Sequence, residues 1–192
     1  EPYPARCLRA ALAEAKAWGA QRVIGKGDLT DHGTDAEFEW FAALVNEANV
    51  ETNFILGNHD IRTPEIDGVA VLRARGLATA PIATAIDVDG LRIVLLPSIV
   101  DYHKGRWSTQ DIAATLEFAA DARAPVFVAT HHYPQRFNVQ NEFPPGVRAD
   151  NAHQLLDGLD RVAPGSLIAC GHTHRHHRRH YKSLLITEIG ST

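Results

Sequence analysis

Apolar residues follow two different spacings along the chain, and the two alternate. A repeat of three to four residues predicts helices over 5–18, from Thr34 onward, over 64–75, from Ser108 onward and over 150–161. Short continuous apolar runs between these helices predict buried strands in QRVIGK, TNFIL, PVFVAT, SLIAC and SLLITEIGST. An Asp-Gly pair inside TAIDVDGLRIVLLPS predicts a hairpin. Strands that alternate with helices are typical of an α/β fold in which helices cover a sheet.

Details of the first two helices follow from the same pattern. The apolar stripe of the first helix comprises Leu8, Ala11, Leu12, Ala15 and Trp18, and the Trp and Phe residues at helical spacing are predicted to be core. The second helix begins with Thr34 and has Glu37 three residues later, which is the sequence of a capping box.

Composition narrows the class of protein. A chain of 192 residues with 45% hydrophobic and 22% charged residues fits one globular domain. A net charge of −4 does not indicate a general nucleic-acid-binding surface, and no apolar run approaches the roughly 20 residues that cross a bilayer. Two cysteines form no disulfide framework, so a cytoplasmic location is expected. The oligomeric state is not indicated.

Four of the predicted strands end in polar residues. These segments are GD, GNHD, HH and GHTH, which begin at residues 27, 57, 131 and 171. Because ligands gather at the carboxyl ends of strands in such sheets, we expect the four segments to meet at one edge. That edge would combine a carboxylate, an amide oxygen and three or more imidazoles. Mixed oxygen and imidazole donors without thiolates suit Mn, Fe, Zn or Ni.

The last segment opens a histidine cluster, because five of the eleven histidines fall between His172 and His180. If the backbone is extended there, His172 and His174 share one face and address one or two neighbouring ions. The later histidines, with the arginines among them, are predicted to form a solvated connector. His131 and His132 cannot both point one way from a strand, so His132 is expected to support the site or line a substrate cleft.

In this order, the segments resemble the successive motifs of the calcineurin-like metallophosphoesterases. GDLTD, GNHD, the strand-end histidine of THHYP, and GHTH match over Gly27 to His174. The stretch from GLRIVLLPS to STQ is most similar to the cyclic-nucleotide phosphodiesterase branch. The resemblance implies a four-layer αββα sandwich that carries two divalent metal ions, with Mn, Fe, Zn and Ni as candidates.

The resemblance also implies a set of metal ligands. Asp28 would bridge both ions. Asn58, His131 and His172 would complete the shell of the second ion, and His174 would bind the first ion.

Catalytic roles are implied for the residues around GNHD. His59 would stand beside the substrate as a proton donor or transition-state stabiliser, and Asp60 would orient its ring. Asp31 would hold a ligand in position. Arg62 could contact phosphate, although a solvated surface position is the more common one for such an arginine.

One motif of the family is absent. The Asp-x-His of the opening strand is not found, so the first ion would lack two ligands. The DYH at 101–103 lies on another element and in the wrong order, so it is not taken as a replacement, although His103 could line the substrate cleft. We therefore expect residues 1–192 to be a single, incomplete metallophosphoesterase domain, truncated at both ends.

The implied activity is hydrolysis of a small phosphodiester or phosphomonoester by a metal-bridging hydroxide, which needs no nucleophilic side chain. Two alternatives stay open. The first is a non-catalytic binding module on the same fold with an incomplete metal site, and the second is metal storage or sensing by the histidine-rich tail. The sequence fixes neither the substrate nor the metal.

Overall fold

A computed structural model describes residues 2–98, 104–137 and 144–190. Over these residues the order of elements is α1 (Tyr3–Ala17), β1 (Val23–Lys26), α2 (Asp35–Ala48), β2 (Thr52–Ile55), a 3₁₀ turn (His59–Ile61), α3 (Gly68–Ala74), β3 (Ala78–Thr79), β4 (Thr84–Val88), β5 (Leu91–Leu96), α4 (Thr109–Ala120), β6 (Val126–Thr130), α5 (Ala149–Val162), β7 (Leu167–Cys170), β8 (His177–Tyr181) and β9 (Leu184–Glu188). The DYH segment and its His103 lie outside the described residues.

The strands form two sheets. The smaller sheet has the order β1-β2-β3 and is parallel throughout. The larger sheet has the order β4-β5-β6-β7-β9-β8, in which β5, β6, β7 and β9 are parallel and the two edge strands are antiparallel to their neighbours. The carboxyl ends of β6 and β7 therefore lie side by side.

Three apolar clusters define four layers. Helices α1 to α3 pack on the smaller sheet through residues such as Phe38 and Leu72. Helices α4 and α5 pack on the larger sheet, with Leu155 at the centre of that cluster. Ile55 of β2 and Leu95 of β5 belong to the third cluster, which fills the space between the sheets. The predicted αββα sandwich is confirmed.

Local signals in the sequence account for several element boundaries. Helix α2 begins with the predicted capping box, because the Thr34 side chain accepts from the Glu37 N–H and the Glu37 carboxylate accepts from the Thr34 N–H. The Ser108 side chain caps α4 by accepting from the Asp111 N–H. The predicted hairpin is present as β4 and β5.

Three predictions about elements were wrong or incomplete. Trp18 is 80% exposed, because it lies at the end of α1 beyond the part that packs on the sheet. The third helix begins at Gly68, since Asp67 caps it there. The predicted connector after GHTH contains the edge strand β8, whose backbone pairs with β9 while side chains such as His177 and His180 stay exposed. No helix in the described parts of the chain is long and apolar enough to cross a membrane.

Candidate metal centre

The polar ends of β1, β2, β6 and β7 converge. Asn58 Oδ1 lies 3.1 Å from His131 Nε2 and 2.9 Å from His172 Nδ1. Asp28 Oδ1 lies 3.4 Å from the same nitrogen of His131. Four of the five predicted metal ligands thus meet at one point. Asn58 and His131 are buried, and the Asp28 side chain keeps 18% of its surface exposed, so the point is reached from one side.

The outer nitrogens of the two imidazoles show where their protons are. His131 Nδ1 lies 2.8 Å from the Lys26 carbonyl oxygen, and His172 Nε2 lies 3.1 Å from the Pro145 carbonyl oxygen. A carbonyl oxygen only accepts, so each of these nitrogens carries the N–H. Burial lowers the pKa of His131 and lowers the pKa of His172 to about 4, so both rings are neutral near pH 7. Each ring therefore turns a lone pair toward Asn58.

This proton placement makes the convergence point a site for a cation. A carboxylate oxygen, an amide oxygen and two imidazole lone pairs face one another, and neither imidazole carries a proton on the nitrogen that faces the others. Such a group is mutually repulsive until a positive ion lies at its centre. Oxygen and imidazole ligands whose far nitrogens donate to carbonyls are the usual surroundings of a divalent transition metal. The residues present fit such an ion.

A third imidazole lies in the same group. One ring nitrogen each of His131, His132 and His172 lies within 4.8 Å of the others. Among the described residues, this is the one group of His, Cys, Asp or Glu side chains found with the spacing to hold a metal ion. His132 is fully buried, and burial lowers its pKa to about 2. The sequence predicted that His132 supports the site or lines a substrate cleft. In the structure Ser98 Oγ lies 2.9 Å from His132 Nδ1, a contact that was not predicted.

Glycines at the strand ends let the segments approach each other. Gly27 has a φ of 93°, in the left-handed region that favours glycine. A Cβ on Gly57 would lie 2.2 Å from the main-chain N and from Oδ1 of Asp28. The loop after β2 can therefore pass this close to Asp28 only because residue 57 has no side chain.

We expect Gly57→Ala to weaken Mn²⁺ binding by about tenfold or more, because the new methyl group must push the Asp28 carboxylate away from the centre. Gly171→Ala is the matched control. Gly171 directly follows β7, and a Cβ there would lie 3.6 Å from its nearest neighbours, an ordinary van der Waals distance. Isothermal titration of both variants with Mn²⁺ provides the comparison, and equal affinities would contradict the close approach.

His59 lies beside the centre in a small polar cluster. Its ring Nδ1 is 3.0 Å from Asp31 Oδ1, and its Nε2 is 2.9 Å from Nη2 of Arg62. Arg62 also donates to the main-chain and side-chain oxygens of Asp31. The Arg62 side chain is only 24% exposed, so the solvated position favoured from the sequence was wrong. Asp31 and Arg62 thus hold the His59 ring.

Asp60 connects two loops at the base of the site. Its carboxylate is fully buried and accepts hydrogen bonds from the main-chain N–H groups of Gly57, Leu29 and Thr30 and from the Thr30 hydroxyl. Burial raises its pKa to about 6, and these four donors oppose the rise. Asp60 therefore ties the loop after β1 to the loop after β2. It supports Asp28 and Asn58 through the backbone, and the predicted orienting of the His59 ring by Asp60 stays a prediction.

His174 is not brought into the group. Its side chain is exposed, and both His172 and His174 have left-handed backbone, with φ of 67° and 53°. The extended conformation that would give them a shared face is therefore absent. The assignment of His174 to a first ion remains a prediction.

Lys26 lies near the centre and was given no role from the sequence. Lys26 donates from Nζ to the Cys170 carbonyl oxygen at 2.7 Å, which links the ends of β1 and β7 across the two sheets, and its own carbonyl fixes the His131 proton. Burial lowers the pKa of Lys26. The available signal was its position as the last residue of β1, two residues before Asp28.

Comparison with known proteins assigns the class to which this fold and site belong. The sequence profile of the family described as calcineurin-like phosphoesterase matches residues 8–176. The chain belongs to this family of phosphoester hydrolases. It is 30% identical over 135 residues to a probable cyclic nucleotide phosphodiesterase of Rhodococcus erythropolis, covering 66% of this chain and 44% of that protein. It is 25% identical over 163 residues to a 3',5'-cyclic-nucleotide phosphodiesterase of Nostoc sp., covering 82% and 57%.

Solved structures agree on the fold. TT1561 of Thermus thermophilus superposes with a TM-score of 0.60 at 13% identity, covering 97% of this chain and 84% of that one. The phosphopantetheinyl hydrolase of Mycobacterium tuberculosis superposes with a TM-score of 0.57 at 15% identity, covering 88% and 79%. The chain spans about half the length of the two curated relatives, at 44% and 57%.

Proposed function

We propose that this protein is a metal-dependent phosphodiesterase that hydrolyses a small phosphodiester. The observation that carries the proposal is the convergence of four lone-pair donors from Asp28, Asn58, His131 and His172, in which the imidazole nitrogens that face the centre carry no proton. Family membership supports phosphoester hydrolysis, and the names of the two curated relatives make cyclic nucleotides the first substrates to test. Phosphomonoesters are the second class.

The four converging residues would hold one divalent ion. When bound, divalent ions supply Lewis acidity, which neutralises charge on the phosphoryl oxygens and activates water at neutral pH. A second ion belongs to the proposal, with Asp28 shared between the two and His174 on the first. Mn and Fe are the leading candidates among Mn, Fe, Zn and Ni, because oxygen donors are as numerous as imidazoles in the set.

The chain's own residues would position the ester and supply a proton. The His59 ring stands beside Asp28, whose Oδ1 accepts from the His59 main-chain N–H at 3.0 Å. Asp31 fixes the ring by accepting from Nδ1, and this carboxylate would stabilise the positively charged ring that can protonate a leaving alkoxide. The Arg62 guanidinium, on the other nitrogen of the ring, is placed to contact a phosphate oxygen.

The proposal is tested by loading the protein with Mn²⁺, desalting it exhaustively, and measuring both the bound metal and the hydrolysis of bis(p-nitrophenyl) phosphate and 3',5'-cyclic AMP. Bound metal with metal-dependent turnover is the expected result. Bound metal without turnover of any phosphate ester would favour the non-catalytic binding module. Loss of metal on replacing His176, His177 and His180 by alanine would instead favour storage by the histidine-rich tail.

A further inference from the structure

His132 differs from the other two imidazoles of the centre in how its protons are placed. The ring is fully buried, its Nδ1 lies 2.9 Å from Ser98 Oγ, and its Nε2 is buried with no hydrogen-bond partner in the described residues. His131 and His172 each use their N–H on a main-chain carbonyl. In the described parts of the chain no carbonyl oxygen lies at either nitrogen of His132, so the position of its proton follows from Ser98.

The Ser98 hydroxyl decides which nitrogen of His132 is protonated. Ser98 is fully buried, and its Oγ accepts the main-chain N–H of His132 at 3.1 Å. Within the described residues, the one acceptor that the hydroxyl proton reaches is His132 Nδ1. When Ser98 donates there, Nδ1 is an acceptor and the ring proton lies on Nε2. The opposite tautomer would leave the Ser98 proton buried without an acceptor.

The ring of His132 lies against the two imidazoles of the metal centre. The His132 ring centroid lies 4.3 Å from that of His172 and 4.9 Å from that of His131. Gly105 also packs closely on the ring, since a Cβ there would lie 2.3 Å from His132 Cγ. A buried N–H donor that has no partner among the described residues thus lies beside a group of lone-pair donors. A buried donor of this kind is costly unless something completes it.

We propose that His132 binds the anion rather than the metal: its Nε2–H donates to an oxygen of the phosphate group held at this centre. The inference rests on the proposed function, because that function brings a phosphate there. The three imidazoles would then divide between two tasks. His131 and His172 give lone pairs to a cation, and His132 gives a hydrogen bond to the negatively charged ligand of that cation.

Two replacements of His132 separate these tasks. His132→Phe keeps a flat ring but has no N–H, and His132→Gln keeps an N–H donor near the position of Nε2. His153→Phe is the matched control, because that ring lies on α5 and stacks on Tyr181, with centroids 5.5 Å apart. For each variant, Mn²⁺ affinity is measured by electron paramagnetic resonance of free Mn²⁺, and binding of inorganic phosphate to the Mn²⁺-loaded protein is measured by isothermal titration. Neither readout needs turnover.

We expect His132→Phe to weaken phosphate binding by about ten- to a hundredfold, as for a hydrogen bond to a charged group, while Mn²⁺ affinity stays within about threefold. His132→Gln should recover part of the loss. A parallel loss of Mn²⁺ affinity would overturn the proposal in favour of a metal ligand. Unchanged phosphate binding would overturn it in favour of a purely structural histidine.

The tautomer of His132 can be measured in the wild-type protein, so the result does not depend on the folding of a variant. In two-bond ¹H–¹⁵N spectra of metal-free, histidine-labelled protein, we expect His132 to carry its proton on Nε2, and a proton on Nδ1 would overturn the assignment. A protein that binds no Mn²⁺ would refute the proposed function instead, and the spectra of the same sample would still decide the state of His132.

Discussion

Asp28→Asn is expected to lower Mn²⁺ affinity by at least about a hundredfold and to reduce phosphodiester hydrolysis by at least as much, because a direct ligand should matter more than the groups that support one, which contribute about 10–100-fold. The replacement removes the one negative charge at the convergence point and can turn an NH₂ group toward the lone pair of His131 Nε2, 3.4 Å from the present carboxylate oxygen. The asparagine side chain keeps the shape of the aspartate, and its amide oxygen can still accept the His59 main-chain N–H.

The control for this prediction is Asp89→Asn. Asp89 is an exposed carboxylate in the turn between β4 and β5, at the end of the larger sheet opposite to the carboxyl ends of β6 and β7. Its replacement changes the net charge by the same amount. Titration with Mn²⁺ and turnover of bis(p-nitrophenyl) phosphate are compared in both variants. Retained metal affinity in Asp28→Asn would mean that the protein binds Mn²⁺ at another place. The Asn58 amide would then be rotated, with its NH₂ group donating to both imidazoles.

The location of the site could be predicted from the sequence because it depends on a simple rule. A buried strand gives an apolar run, and the first polar residues after it must lie at the strand's carboxyl end. Parallel pairing places the ends before Asp28 and Asn58 side by side in the smaller sheet, and the ends before His131 and His172 side by side in the larger one. The packing of the two sheets on each other then brings the two pairs together. The capping box at Thr34 was equally predictable, since both partners lie within one turn of helix.

Roles that depend on loop conformation could not be predicted in this way. Asp60 and Asp31 are both a few residues from His59 or Asp28 in sequence, yet Asp60 turns inward to three main-chain N–H groups while Asp31 reaches the His59 ring. The left-handed backbone at His174 and the pairing of β8 with β9 are likewise set by tertiary contacts. Proton positions on the imidazoles depend on carbonyls and hydroxyls that are distant in the chain, such as Ser98 for His132.

His59→Gln is expected to lower kcat/KM by about 10²–10⁴-fold for an ester with an alkoxide leaving group, as for loss of a general acid, and by far less for a nitrophenyl ester. An alkoxide is a strong base that must be protonated as it leaves, whereas a nitrophenolate is stable without a proton. In the described arrangement Nδ1–H donates to Asp31 and Nε2 accepts from Arg62, because a guanidinium only donates. Phosphate oxygens would compete for Arg62 and leave Nε2 free to be protonated.

The measurement compares 3',5'-cyclic AMP with bis(p-nitrophenyl) phosphate in the wild type, in His59→Gln and in a His180→Gln control, which alters an exposed histidine of β8. Mn²⁺ affinity should stay nearly unchanged in both variants, because the ring nitrogens of His59 are paired with Asp31 and Arg62. Equal losses for the two esters would show that His59 binds the phosphate without protonating the leaving group. A selective loss for the alkoxide ester would instead assign the proton to His59, since a residue that only positions phosphate cannot distinguish the two leaving groups.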